Sequence, residues 1–301
     1  MDFYFLKVDF CKIRASILTE KNNKIILGDD KGKVIIIDLI SQKIKSSFYI
    51  YENFSINEFS SRENLLYCAS ENMKIPIFDI NKNKKIRELC GHEGIVTDVK
   101  NKHNYLLSGG KDGFVHLWDT RINLPIMNFV NNGIVDSVGF FEFPNSIHST
   151  YNSNRFNLWD LRIHDKPVSQ FQINGIDFYK SKGKITVNEK KNILLFADFK
   201  QIINLIYYNQ SLKIFYLKSN LIKKKKTINQ KVSMIKTDRN FLTIVIVYDE
   251  GNIEVFRKNL KKYYFISKIS DSRIINLNVK SSGSLLFITC NDGKMILVKL
   301  S

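Results

Sequence analysis

A His near a Ser and an Asp, as His92 is near Ser108 and Asp112, invites a reading as base, nucleophile and orienter. A serine hydroxyl becomes a nucleophile when an imidazole takes its proton and a carboxylate holds the imidazole in place. Ser108, however, sits in the strand-like run Leu106-Leu107-Ser108-Gly109-Gly110, with no nucleophile elbow and no visible oxyanion donors. The hydrolase reading is therefore the weaker one. Gly28-Asp29-Asp30-Lys31-Gly32-Lys33-Val34 approaches a phosphate loop but is one residue short. It also puts Val34 where a magnesium-binding hydroxyl is needed, so it reads as a hairpin turn. The five His residues show no H-E-x-x-H spacing, and Cys11, Cys68, Cys90 and Cys290 form no C-x-x-C pair. Neither a zinc site nor a disulfide framework follows, and a reducing compartment is expected. There are no paired carboxylates and no glycine-rich dinucleotide fingerprint. The expectation is a protein with no catalytic residues, no metal and no cofactor, and not an enzyme.

Charge is the next candidate chemistry. Lys and Arg number 46 against 29 Asp and Glu, a formal charge of +17. An acidic partner such as RNA or an acidic protein segment suits that balance. A lysine-rich composition spread evenly over a solvated surface explains it equally well. With 44% apolar and 25% charged residues, disorder is excluded. No apolar run approaches the roughly 18 residues of a membrane span, and Met1-Asp2-Phe3-Tyr4-Phe5-Leu6 lacks a basic leader. The expected location is intracellular, nuclear or cytoplasmic, with no membrane partner.

The elements that carry these residues are set by a repeat. Leu106 to Asp119 reads as two strands joined at Asp112-Gly113, where Gly tolerates positive φ and Asp bonds the local backbone. Similar strand ends recur at Asp38, Asp79, Asp119 and Asp160, steps of 41, 40 and 41 residues. More degenerate ends follow at Asn209, Arg257 and Lys299, giving seven units. Gly32, Gly113, Gly251 and Gly293 each lie six positions before the end of their unit.

At Gly91-His92, Trp118-Asp119 and Trp159-Asp160 the sequence resembles the WD-repeat (WD40) family, and the spacing extends that resemblance over the whole chain. The resemblance implies an all-β fold, a seven-bladed β-propeller of four-stranded blades. The repeat is offset from the blade, so Asp2 to Val8 is expected to supply the last blade's missing strand. Residues 1–301 then form a single β-propeller domain closed by the N-terminal strand. The resemblance also implies a hydrogen-bonded chain His92, Ser108, Asp112 and Trp118 inside blade three, a structural role for the same residues that suggested a hydrolase. Blade four keeps Ser149 and Trp159 but has Ser153 for the turn Asp, and blade seven keeps Asp292 but has Ile288 for the serine.

Partner-binding residues in the family usually lie on one face. That face is expected to receive Lys180, Lys182 and Lys184 ahead of blade five, and Lys223, Lys224, Lys225 and Lys226 ahead of blade six. They read either as an anion or RNA contact, with Tyr179 nearby for stacking, or as solvated charge. Asp29, Asp30, Glu71, Asp249 and Glu250 fall on the same face and divide it electrostatically, which suits a protein partner. Asp119 with Arg121, and Asp160 with Arg162, repeat a W-D-x-R box on consecutive blades. It resembles the adaptor-docking box of WD-repeat substrate receptors in cullin-RING ubiquitin ligases, although the same pair serves equally to brace a turn. The expected function is a noncatalytic interaction scaffold for other proteins, a subunit of a larger multiprotein or ribonucleoprotein assembly such as one in ribosome biogenesis or RNA processing. The alternative is a ligase substrate receptor.

Overall fold

The computed structural model describes residues 2–7, 12–19, 23–141, 145–152, 155–163, 165–172, 185–188, 193–197, 203–209, 214–222, 232–238, 240–257, 262–266, 269, 272–280 and 283–300. Among them are β1 (Asp2–Lys7), β2 (Ile13–Thr19), β3 (Lys24–Asp29), β4 (Lys33–Asp38), β5 (Ile44–Tyr49), β6 (Ile56–Arg62), β7 (Leu65–Ser70), β8 (Ile75–Asp79) and β9 (Lys84–Leu89). The chain continues through β10 (Val96–Lys102), β11 (Tyr105–Gly110), β12 (Phe114–Asp119), β13 (Pro125–Val130), β14 (Val135–Phe140), β15 (Ser146–Tyr151), β16 (Arg155–Asp160) and β17 (Ser169–Gln172). Then come β18 (Ile185–Asn188), β19 (Ile193–Ala197), β20 (Ile203–Asn209), β21 (Ile214–Ile222), β22 (Val232–Thr237), β23 (Thr243–Tyr248), β24 (Ile253–Arg257) and β25 (Lys262–Ile266). The last three are β26 (Ile274–Val279), β27 (Leu285–Cys290) and β28 (Lys294–Lys299).

The described strands pair into antiparallel sheets of four: β2 to β5, β6 to β9, and so on to β22 to β25, with a last sheet ordered β1-β28-β27-β26. The fold is an all-β propeller. The third strand of each sheet ends at Asp38, Asp79, Asp119, Asp160, Asn209, Arg257 and Lys299, the positions marked by the repeat. First strands of neighbouring sheets pack in the order β18, β22, β26, β2, β6, β10, β14. Residues 173–184, between the sheets of β14 and β18, lie outside the description. Among the described residues no helix is long and apolar enough to cross a membrane.

Both faces of most blades are buried, which is why their central strands read as unbroken apolar runs. Along β3 and β4, Ile26 and Ile36 face Phe59 and Leu66 of the next blade. The alternate residues Ile25, Leu27, Ile35 and Ile37 face Phe287 and Met295 of the preceding one. The core is thus a series of apolar layers between blades, and each blade buries its faces only against its neighbours.

The turns follow the expected chemistry. Gly32, Gly113, Gly251 and Gly293 have φ of 83, 84, 83 and 84°. A side chain at Gly32 would drive a Cβ to 1.8 Å from the Tyr51 carbonyl oxygen. Blade two departs from the rule, since Met73 takes that place at φ 60° and accepts the strain of a left-handed side-chain-bearing residue.

A second regularity has no residue signature. The first strand of six blades shifts register at its second position, beside Arg14, Asn57, Thr97, Asp136, Ser233 and Ile275. Each is a β-bulge, which adds twist and turns one side chain aside. Two of these side chains bond across the gap to the next blade: Asn57 Nδ2 donates to the Val96 carbonyl at 2.8 Å, and Thr97 Oγ1 to the Val135 carbonyl at 2.6 Å.

Candidate functional site

The expected hydrogen-bond set is assembled in the third blade from three elements. His92 precedes β10, Ser108 is the fourth residue of β11, Asp112 opens the turn and Trp118 is the fifth residue of β12. The Asp112 carboxylate only accepts, so the His92 Nδ1–H donates to it at 2.7 Å. His92 Nε2 then accepts from the Ser108 hydroxyl at 2.7 Å, and Ser108 Oγ accepts the Trp118 indole N–H at 2.8 Å. Asp112 also receives the backbone N–H groups of Glu93 and Phe114 at 3.0 and 3.1 Å. Burial alone would raise the Asp112 pKa, but the bond from His92 and the two N–H groups outweigh it and hold the carboxyl below its usual range. Gly91 is needed beside this set: a Cβ there would lie 3.0 Å from the Trp118 ring.

Chemically the set is closed. Ser108 is fully buried and its oxygen already serves two partners, so no approach remains for an acyl group. His92, Asp112 and His116 each bring a ligand-type atom within 4.8 Å of the others. Yet His92 spends both ring nitrogens and Asp112 takes three donors, so a metal would have to displace the proton that joins them. His116 lies 4.2 Å from the His92 ring and stacks on Phe114. Burial foremost, with the neighbouring His92 adding to it, pushes its pKa down to about 4, so it packs as a neutral aromatic ring.

Blade four builds the same chain from other residue types. The Trp159 indole donates to Ser149 Oγ at 2.9 Å, and that hydroxyl donates to Asn131 Oδ1 at 2.9 Å. Asn157 Nδ2 reaches the same oxygen at 3.0 Å. Asn131 stands four residues before its inner strand, as His92 does, and Asn157 stands two before Trp159, as His116 does before Trp118. Asn131 carries no histidine signature, and only its constant offset from the first strand of the blade marks it in the sequence. Ser153 lies outside the described residues. In blade seven, Ile288 at the serine position is fully buried in the apolar layer.

Arg121 Nη2 lies 2.6 Å from Asp119 Oδ2 and its Nε 2.9 Å from Oδ1, and Arg162 repeats this on Asp160 at 2.6 and 2.9 Å. Each arginine grips the aspartate two residues before it, yet about 70% of each side chain faces solvent. The acids expected on the partner-binding face divide. Asp29 is buried and caps the N–H groups of Lys31 and Lys33 at 2.9 and 2.8 Å. Glu71 accepts from the Ser55 N–H at 3.3 Å and lies 4.0 Å from Arg14. Asp249 and Glu250 are exposed in the turn after β23. Lys180, Lys182, Lys184, Lys223, Lys224, Lys225 and Lys226, with Tyr179, lie outside the described residues.

A model of the WD domain, G-beta repeat, matches residues 83–119, the stretch that ends at Trp118-Asp119. The guanine nucleotide-binding protein subunit beta of Saccharomyces cerevisiae is 31% identical over 125 residues, 38% of this chain and 29% of that protein. The catalytic subunit PAN2 of the PAN2-PAN3 deadenylation complex of Kluyveromyces lactis is 28% identical over 124 residues, 37% of this chain and 11% of that one. The match thus spans less than a third of either relative. Among solved structures, a chain of the mitotic checkpoint complex superposes with a TM-score of 0.77, covering 99% of this chain and 93% of that one at 15% identity. That likeness speaks to the fold.

Proposed function

We propose that this chain, a member of the WD40-repeat β-propeller family, is a single-domain, noncatalytic scaffold in a multiprotein or ribonucleoprotein assembly of the nucleus or cytoplasm. The observation that carries this reading is the closed hydrogen-bond chain of blade three. In blade three the residue types that suggest catalysis bond to one another inside the sheet, which supports surface recognition as the chemistry of this protein. The charge of +17 favours a partner that is RNA or acidic protein, as in ribosome biogenesis or RNA processing. Affinity purification of the tagged chain with and without ribonuclease tests it. Stable co-purification of a defined set of proteins is the expected result, and recovery of the chain alone would sink the scaffold reading.

Direct RNA contact is a separable part of the proposal. Changing Lys223, Lys224, Lys225 and Lys226 to Gln is expected to weaken binding to a single-stranded RNA and to flatten its salt dependence, because fewer phosphates are neutralised. The control removes Lys82 and Lys166, exposed in turns between third and fourth strands, with Lys84 and Lys85, exposed at the start of β9. Equal losses in the two variants would mean diffuse attraction set by net charge.

The second reading, docking on a cullin-RING adaptor, is favoured by one feature: consecutive blades present the same solvent-facing Asp–Arg pair. On that reading Arg121→Ala with Arg162→Ala abolishes co-purification of an adaptor and leaves the melting temperature within a few degrees, since exposed pairs stabilise little. A wild-type chain that recovers no adaptor leaves these arginines as turn braces.

A further inference from the structure

The outer strand of each described sheet leaves one edge unpaired, and such edges are commonly guarded by charge or kept short. β1, β5, β9, β21 and β25 each carry a Lys, Arg, Asp or Glu, and β17 has only four residues, three of them polar. β13, Pro125-Ile126-Met127-Asn128-Phe129-Val130, has neither protection. From Ile122 to Val135 the chain holds no Lys, Arg, Asp or Glu, although 25% of its residues are charged. Along this stretch Leu124, Ile126 and Val130 are 67, 42 and 62% exposed.

The free edge also presents unused backbone groups. β13 runs against β12 with Met127 opposite Leu117, Phe129 opposite Val115 and Val130 opposite Phe114, and just beyond the strand the Asn131 N–H bonds the Gly113 carbonyl at 2.9 Å. Bonded pairs alternate along an antiparallel ladder, so Phe129 and Met127 turn their backbone groups toward β12 while Asn128 and Val130 turn theirs outward. Those outward N–H and C=O groups have no backbone partner among the described residues. The side chains follow the same alternation. Phe129 and Met127 pack into the layer with blade four, and Ile126, Asn128 and Val130 are left exposed.

This pattern is self-complementary. Ile126 and Val130 flank Asn128 at equal distances, so a second β13 laid antiparallel about a two-fold axis at Asn128 sets Ile126 of each chain across from Val130 of the other. The two Asn128 residues then exchange their outward N–H and C=O groups. Two bodies of charge +17 repel, which restricts their approach to a place without charge. The stretch around β13 is such a place, and at physiological salt the repulsion between charges farther away fades over about 8 Å.

We propose that β13 joins two copies of this chain edge to edge, antiparallel about Asn128, continuing the third-blade sheet of one protomer into that of its partner. The inference goes beyond the scaffold reading and does not depend on it.

Sedimentation velocity of the purified full chain over a range of micromolar concentrations tests it. A monomer–dimer equilibrium is expected that tightens as salt is raised, because salt screens the repulsion between the two basic bodies. Asn128→Pro removes an outward donor and no bond to β12, so it should leave the melting temperature within a few degrees and raise the dimer dissociation constant at least tenfold. Ile126→Lys with Val130→Lys should do the same by placing like charges across the two-fold axis. The register is read with a cysteine. In a bonded antiparallel pair the two Cα atoms at position 128 stand about 5.5 Å apart, within reach of a disulfide. Asn128→Cys, in a chain also carrying Cys11→Ser and Cys90→Ser, should therefore oxidise to a covalent dimer. Ile86→Cys in the same background, exposed on β9 of blade two, should not. A chain that is monomeric at every concentration overturns the inference. So does a dimer that salt dissolves, one that folded Pro and Lys variants leave intact, or one that crosslinks as readily through position 86 as through 128.

Discussion

Deletion of residues 2–7 is expected to leave a protein that aggregates or melts at least about 10 °C lower than the intact chain. β1 pairs with β28 along its whole length, from Asp2 opposite Lys299 to Lys7 opposite Lys294. Without it, the outer edge of β28 presents unpaired N–H and C=O groups, a template for pairing with other molecules. A six-residue strand contributes several net hydrogen bonds of about 1 kcal/mol each. In a domain of this size, each lost kcal/mol lowers the melting temperature by roughly 2–4 °C. Differential scanning fluorimetry and light scattering on the truncated chain measure both outcomes. A synthetic peptide of residues 1–9 added in trans should restore the melting temperature, and a scrambled peptide should not. A soluble, monomeric truncation with unchanged stability would remove the reading of a seven-bladed ring closed by the N-terminal strand.

How much of this was legible in the sequence depends on whether a feature is carried by residue type. The strand ends at Asp38, Asp79, Asp119 and Asp160 were readable because a turn acid follows an apolar run at near-constant spacing. The left-handed turns were readable because four of them use glycine; the equivalent turn at Met73 was not, since nothing in a methionine announces positive φ. The bulges escaped for a related reason. Arg14, Asn57, Thr97, Asp136, Ser233 and Ile275 share no chemistry, because the bulge is a property of the backbone pairing. The blade-three chain was legible in full, whereas in blade four the same task passed to Asn131, an amide that supplies the acceptor without being a histidine. The apolar layer that packs Ile25 against Phe287 joins residues from the two ends of the chain, and only the topology brings them together.

Trp118→Ala is expected to cost about 3–5 kcal/mol, by analogy with large aromatic deletions from packed cores. Trp118 is fully buried in the layer between blades two and three, against Tyr67, Ile77 and Val99. Its removal opens a cavity that the neighbouring strands, tied by their hydrogen-bond ladders, can only partly fill. A second loss comes from Ser108, whose oxygen would keep its bond to His92 but lose the indole donor. Trp118→Phe weights the two effects differently, since it retains most of the apolar area while deleting the N–H together with a small part of the ring. That variant should lose roughly 1–2 kcal/mol, the scale of one buried polar bond with its neighbourhood relaxed. Equilibrium urea unfolding, followed by circular dichroism so that loss of the indole does not remove the signal, gives both values. If the alanine variant falls within about 0.5 kcal/mol of wild type, the range of an ordinary surface substitution, then Trp118 is not a core residue and the blade-three chain does not hold the blade. The argument that turns His92, Ser108 and Asp112 from chemistry to structure would then have to be reopened, because a serine whose neighbours can be removed without cost is not locked in place.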